Sequence, residues 1–348
     1  MYLDLPIIFG LLQRWPNVQR WSTFGGVLIM CLALAMSSFA TNTTHLIITQ
    51  GIFYALGGSL AYAPCILLMD EWFVKKIGLA YGIMWAGTGL AGVLVPILMQ
   101  WILDNYGFRV ALRAWTICLF VMTTPLLPFI KRRVPISHVH QPRRVDFSFI
   151  MTPTFGILQV CNVIEALGFF LPSIYLPSYA SSLGASSTLS VLTVILFNVA
   201  SVFGCVLMGA IIDRLHVTTC IAISTVGSTI GVFVIWGFSI SLAPLYAFCI
   251  IYGLFAGSYT STWPGIMREV KKKKESVDPT MVFACLAAGR GIGNVACGPL
   301  SEILIRGMPW KDQAGFAYGS GYGALIAFTG LTALLGGASV LGHRVGWI

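Results

Sequence analysis

The sequence predicts an all-α membrane protein, and three observations carry that prediction: its composition, a recurrence of long uncharged segments, and a one-sided distribution of basic residues. Of the 348 residues, 57% are hydrophobic and only 9% are charged, against roughly 25% charged in soluble domains. A water-soluble fold of this size has too little interior to hide so much apolar surface, so the solvent must be lipid.

Segments of 20 or more largely uncharged residues recur along the chain, each long enough to cross a hydrocarbon core of about 30 Å as a helix. Full spans are expected near 21–40, 46–69, 77–103, 109–130, 151–176, 187–211, 217–238, 242–266, 280–305 and 321–341. Ahead of them, Met1 to Gln13 carries Asp4 and runs straight into Arg14. That pattern lacks the basic start and small-residue cleavage site of a signal peptide and reads as half a helix.

If the spans alternate sides, one side receives Arg14, Arg20, Lys75, Lys76, Lys131, Arg132, Arg133, Arg143, Arg144, Arg214, Arg268, Lys271, Lys272, Lys273, Lys274 and Arg344. The other receives Arg109, Arg113, Arg306 and Lys311, which leaves Arg290 as the one cation inside a span. The excess assigns the first side to the cytoplasm. A missed or invented span would scramble the alternation after it, and no scrambling occurs. The net charge of +9 is then a topology signal and an attraction for anionic lipid, and no nucleic-acid partner is expected. The sequon Asn42-Thr43-Thr44 falls on the outer side, as a glycosylation site would.

The longest basic connection runs from Lys131 to Phe147 and divides the chain. Residues 1–130 are expected as an incomplete amino-terminal bundle, 131–150 as a cytoplasmic linker and 151–348 as a six-helix bundle. Both halves carry a similar element where a helix meets the cytoplasm: Gly10-Leu-Leu-Gln-Arg14 in the first and Gly209-Ala-Ile-Ile-Asp213-Arg214 in the second. A two-fold internal repeat is a habit of transporter folds.

The stretch Asp70-Glu-Trp-Phe-Val-Lys75-Lys76-Ile-Gly78-Leu-Ala-Tyr-Gly82-Ile-Met-Trp-Ala-Gly87-Thr-Gly89-Leu-Ala-Gly92 resembles the fifth helix of the major facilitator superfamily, monocarboxylate-porter branch of fungal type. Phe169-Phe-Leu-Pro172-Ser-Ile-Tyr175-Leu-Pro177-Ser-Tyr179 resembles the seventh helix of that family, and Phe197-Asn198 through Asp213-Arg214 the eighth. The resemblance implies a two-bundle major facilitator fold working by alternating access. About eleven of the usual twelve segments are present, with the first missing at the amino terminus and the second partial. It implies movement of an organic acid, often with a proton, or export of a secondary metabolite. The plasma membrane is the expected location, with a vacuolar or other internal membrane as the alternative. Where the family often places Arg after the glycine equivalent to Gly204, this chain has Cys205.

Ionisable residues inside spans are the natural site candidates, because a charge near the bilayer centre costs at least about 2.5 kcal/mol on insertion scales. Arg290, flanked by Gly289, Gly291 and Gly293, reads either as an anchor for a substrate anion or as one partner of an interhelical pair with Glu165 or a helix-end carbonyl. Glu165 reads as a proton acceptor or as a packing-level hydrogen bonder. Asn162 and Asn198 are candidate cavity-lining groups, with interhelical bonding as the alternative. The resemblance makes Asp213 and Arg214, with Lys75 and Lys76, candidates for a cytoplasmic gate. Gly78, Gly82, Gly87, Gly89 and Gly92 are expected as a small-residue helix-packing face.

Enzymatic chemistry has little to stand on. The nine cysteines are scattered singly, with no pair or His at metal-ligand spacing, so neither a metal nor a cofactor is expected. The histidines lie on separate segments, and Gly291-Ile-Gly293-Asn-Val-Ala296 matches a dinucleotide pattern without the strand that such a site needs. An intramembrane enzyme and an inactive truncated permease or scaffold are the alternatives to a working permease for an organic acid or related metabolite.

Overall fold

The computed structural model describes residues 1–133 and 146–346; residues 134–145 of the expected linker lie outside them. Every regular element among the described residues is helical. Among the described residues, nine helices are long and apolar enough to cross a membrane, and the longest of these, Ile77–Phe129, contains two of the expected spans. The two are joined at Gly107, whose φ of 76° and ψ of 171° interrupt the helix with a backbone conformation that glycine adopts without a Cβ clash.

In chain order the helices are α1 (Leu5–Arg14), α2 (Pro16–Ser37), α3 (Thr43–Trp72), α4 (77–106) and α5 (108–123). They continue as α6 (Pro153–Ser182), α7 (Ser187–Ile212), α8 (Val217–Trp236), α9 (Leu242–Phe255) and α10 (Trp263–Lys273). The chain ends in α11 (Pro279–Ile305), α12 (Gly323–Gly336) and α13 (Ser339–Arg344).

Local chemistry sets most of the starts. Proline occupies the first turn of α1, α2, α6 and α10, where its missing N–H is not needed. Side chains of Thr152, Ser186 and His216 accept hydrogen bonds from the exposed amides of α6, α7 and α8. Pro172 and Pro177 do not end α6, which runs to Ser182, six residues past its expected end. The expected span 242–266 is broken: α9 stops at Phe255, a 3-10 turn covers Tyr259–Thr262, and α10 then carries the chain to Lys273. Hydroxyls of Ser224 and Ser258 donate to the Phe255 carbonyl freed by that break, at 2.7 and 2.9 Å.

The contacts divide the chain into two units. One comprises Met1–Lys75, the described part of Leu94–Asp146, and Thr280–Ala288. Within it α2 crosses α3 at Gly26 and Gly57, where an added Cβ on Gly26 would lie 2.5 Å from the Gly57 carbonyl oxygen. Ser59 on α3 donates to Asp4, ahead of α1, at 2.8 Å, and Trp72 donates its indole N–H to the Lys131 carbonyl at 3.0 Å. Asn42 is exposed at the start of α3.

The other unit comprises Lys76–Val93, Phe147–Pro279 and the described part of Gly289–Ile348. Its core is aromatic. Trp236 stacks on Phe248 at 4.8 Å and Phe197 on Tyr252 at 5.9 Å, while Tyr179 meets Trp236 and Tyr322 edge-on. The segment after α11 folds back on the end of α8, where the Tyr318 hydroxyl donates to the Phe233 carbonyl at 2.9 Å and Phe316 meets Phe238.

Candidate functional site

Two charged side chains meet in the interior of the second unit. Arg290 on α11 is 3% exposed and Glu165 on α6 is 7% exposed. Nη1 of Arg290 donates to Oε2 of Glu165, so the two groups form a buried, hydrogen-bonded ion pair. They face no competing charge: α6, α7, α8, α9 and α12 carry no other charged residue, and α11 carries only Glu302 near its far end.

Glycines make the approach of these helices close enough. A Cβ on Gly293 would sit 2.7 Å from the Ala166 methyl and 2.8 Å from the Val163 carbonyl oxygen, and one on Gly289 would collide with the Gln159 amide. On the other side of α6, a Cβ on Gly336 of α12 would lie 2.8 Å from Cβ of Glu165. The glycines flanking Arg290 thus admit a neighbouring helix, and that helix brings the carboxylate.

The remaining surroundings of Arg290 are aromatic. Its guanidinium lies 4.6 Å from the ring centroid of Phe169 and 5.9 Å from that of Tyr259, within range of a cation–π attraction. Tyr252 donates to the Phe169 carbonyl at 3.3 Å, and Tyr259 to the Gly336 carbonyl at 3.5 Å. Cys205 lies in electrostatic reach of Arg290, with its thiol directed to the Gly257 carbonyl at 3.4 Å. Asn162, fully buried one turn before Glu165, donates to the Gln159 side-chain oxygen at 3.4 Å.

Asn198 belongs to a different contact. It lies on α7 against Gly92 of α4, where a Cβ would fall 2.7 Å from the Asn198 side-chain carbon, and its amide donates to the Val194 carbonyl at 2.9 Å. The same seam continues along α4. A Cβ on Gly89 would meet the Val202 side chain at 2.9 Å, and one on Gly82 would lie 2.5 Å from the Cys205 carbonyl oxygen and 3.0 Å from Cα of Gly209. One on Gly78 would lie 2.7 Å from the Gly209 carbonyl oxygen. Gly87, expected on this face, stands apart from it: it is exposed and has open space where a Cβ would project.

At one end of that seam, Asp213 accepts hydrogen bonds from the backbone N–H groups of Gly78 and Leu79, at 2.9 and 3.0 Å. A carboxylate there satisfies two orphan donors and sits at the positive end of the α4 dipole. Arg214, Lys75 and Lys76 are exposed and take no part in those bonds. Nearby, Arg268 of α10 donates to the Ile212 carbonyl, His216 lies 3.6 Å from Glu269, and the His216 ring lies 4.6 Å from that of His343.

Sequence reasoning missed Phe169, Tyr259 and Asn294. The carboxamide oxygen of Asn294, one turn beyond Arg290 on the same face of α11, is buried and has no hydrogen-bond partner. The orphaned amide could have been noticed as a polar residue at i+4 from a buried cation. The two rings are indistinguishable in sequence from core aromatics.

Nine helices long and apolar enough to cross a bilayer among the described residues make this a helical, multi-pass membrane protein. Comparison with known proteins gives the family. The profile described as Major Facilitator Superfamily matches residues 5–293. The chain is 30% identical over 325 residues to the agnestins efflux protein AgnL12 of Paecilomyces divaricatus, covering 92% of this chain and 70% of that one. It is 24% identical over 343 residues to the fujikurins efflux protein of Gibberella fujikuroi, covering 98% and 70%. Among solved structures, the fucose:proton symporter FucP of E. coli shares the fold with a TM-score of 0.70 at 14% identity, over 97% of this chain and 88% of that one. The chain belongs to the Major Facilitator Superfamily and is a transporter of a small molecule, not an enzyme.

Proposed function

We propose that this permease exports a secondary metabolite across the plasma membrane by alternating access, moving a proton on Glu165 as it does so. The observation that carries the reading is the buried Glu165–Arg290 pair. Two charges held in an apolar interior are costly, and in membrane proteins such residues mark substrate or ion paths. Two of the similar proteins are efflux proteins by name, which favours metabolite export over uptake of a small monocarboxylate. In this reading residues 1–130 and 151–348 are the two rocking halves, joined by the cytoplasmic linker 131–150. The α4–α7 seam, latched by Asp213, belongs to the inward gate.

The test is flux in lipid vesicles carrying the purified full chain, with a panel of labelled fungal metabolites and carboxylates, under an imposed proton gradient and without one. Gradient-dependent flux of a metabolite, lost in Arg290→Ala, is the expected result. Flux that ignores the proton gradient, or that survives in Arg290→Ala, removes the pair from the transport path.

A further inference from the structure

The charges of the second unit specify what its interior can accept. Residues 77–93, α6, α7, α8, α9, α12 and α11 as far as Ser301 contain two formal charges, Glu165 and Arg290, and those neutralise each other in one hydrogen-bonded pair. The guanidinium is further occupied by the rings of Phe169 and Tyr259. A carboxylate entering here would share one guanidinium with Glu165 and leave an uncompensated anion buried, which is strongly disfavoured in a low-dielectric interior. Cys205, in reach of Arg290, directs a neutral thiol to a carbonyl and adds no cation.

Beside the pair the interior offers ring surface and, on α11, the buried carboxamide oxygen of Asn294, which has no partner among the described residues. Phe169, Tyr175 and Tyr322 are partly buried and pack against the aromatic core, with Tyr175 6.5 Å and Tyr179 5.4 Å from Tyr322 between ring centroids. Tyr175 donates to the Ser301 hydroxyl at 3.0 Å, which ties this ring to α11. Arg290, Asn294 and Ser301 fall on one face of α11 at i, i+4 and i+11. Between the pair and the Tyr175–Ser301 bond lies the Asn294 carboxamide oxygen, buried and without a partner. A buried acceptor left unpaired is costly, so a donor supplied by a ligand is favoured there.

We infer that the transported compound is an uncharged, ring-bearing molecule with hydroxyl groups, held against Phe169, Tyr175 and Tyr322 while one hydroxyl donates to Asn294. The inference rests on the permease reading above and specifies its substrate class. Asn294 is then a specificity-determining residue, and Arg290 keeps the site neutral with Glu165 instead of binding a substrate carboxylate.

The experiment is equilibrium binding to the purified full chain in lipid nanodiscs, followed by vesicle efflux of whatever binds. The probes are a labelled dihydroxynaphthalene, its dimethyl ether and a hydroxynaphthoate. The dihydroxy compound is expected to bind at least about tenfold tighter than the naphthoate. Asn294→Leu is expected to weaken that binding about five- to tenfold, and to narrow the margin over the dimethyl ether by the same factor. A naphthoate that binds as tightly as the dihydroxy compound overturns the inference, and so does failure of all three to bind. An Asn294→Leu protein that loses the ether and the diol equally overturns the role of Asn294. If that variant does not fold, the wild-type order of affinities decides alone. Efflux of the naphthoate would sink the substrate class and leave the permease standing, whereas tight binding of the diol with no efflux would sink the permease reading instead.

Discussion

Glu165→Gln and Arg290→Gln break the same ion pair, yet they should not cost the same. With the two side chains 3% and 8% exposed, little solvent screens the charge that remains. Coulomb attraction between unit charges about 4 Å apart is about 4 kcal/mol at an effective dielectric near 20, and removing one partner of a buried pair typically costs about 3–5 kcal/mol. Glu165→Gln should suffer that loss in full, because a guanidinium does not release its proton in proteins. Arg290→Gln leaves a carboxyl, which can take up a proton and become neutral. Its cost should then fall to the loss of a hydrogen bond, about 1–3 kcal/mol, wherever protons are available. The sign follows from linkage: the folded Arg290→Gln protein must hold a proton that the unfolded chain gives up, so its stability falls as pH rises. Thermal inactivation half-lives of the purified protein in nanodiscs at about pH 5 and about pH 8 read this directly. The Arg290→Gln protein should approach wild type at the lower pH and fall away at the higher, while Glu165→Gln stays damaged at both. Two variants equally damaged and equally indifferent to pH would refute the pairing as the source of the effect.

The α4–α7 seam supplies a matched pair of substitutions. Gly82→Ala puts a Cβ 2.5 Å from a backbone oxygen that cannot rotate away, and overpacking of this kind costs about 1–3 kcal/mol; Gly87→Ala meets open space and should gain up to about 1 kcal/mol from helix propensity. Melting temperatures of the two should move in opposite directions, and a joint fall would show that Gly87 is also packed. Asp213→Asn weakens two charge-assisted bonds to the first amides of α4 and should cost about 1–2 kcal/mol of stability. If the aspartate is also a latch, cysteine-reactive probes applied from the cytoplasm should label residues of α4 faster in that variant; unchanged labelling would leave Asp213 as a cap alone.

Lipid makes the spans easy to read, because a bilayer-crossing helix must be about 20 apolar residues long whatever else it does. Each of the ten expected spans is mainly helical, with one pair joined through Gly107 and 242–266 broken after Phe255. The break in the expected span 242–266 was not readable, because Ala256-Gly257-Ser258 is as apolar or small as the sequence on either side. Its stability depends on Ser224, more than thirty residues away in the chain, which bonds to the carbonyl it frees. Glu165 and Arg290 were visible as charges because lipid tolerates so few. The fact that they meet depends on the small side chains of α6, α11 and α12, which no single-residue reading supplies.

Gly87 shows where a finer reading was available. Each residue turns an α-helix by about 100°, so Gly82, Gly89 and Gly92 lie within roughly 40° of Gly78 around α4, while Gly87 lies about 180° away. The helical phase alone separates it from a face that otherwise matches the observed contacts with α7. Composition grouped the five; angle divides them. The same reasoning groups Asn294 with Arg290, since i and i+4 share a face, and Gly293, at i+3, meets through Ala166 the same helix that carries Glu165. Around a buried charge in an apolar helix, the polar residues that repeat its phase are therefore the ones to examine for ligand contact. Asn198, on a helix without a buried charge, rests on Gly92 and joins α7 to α4.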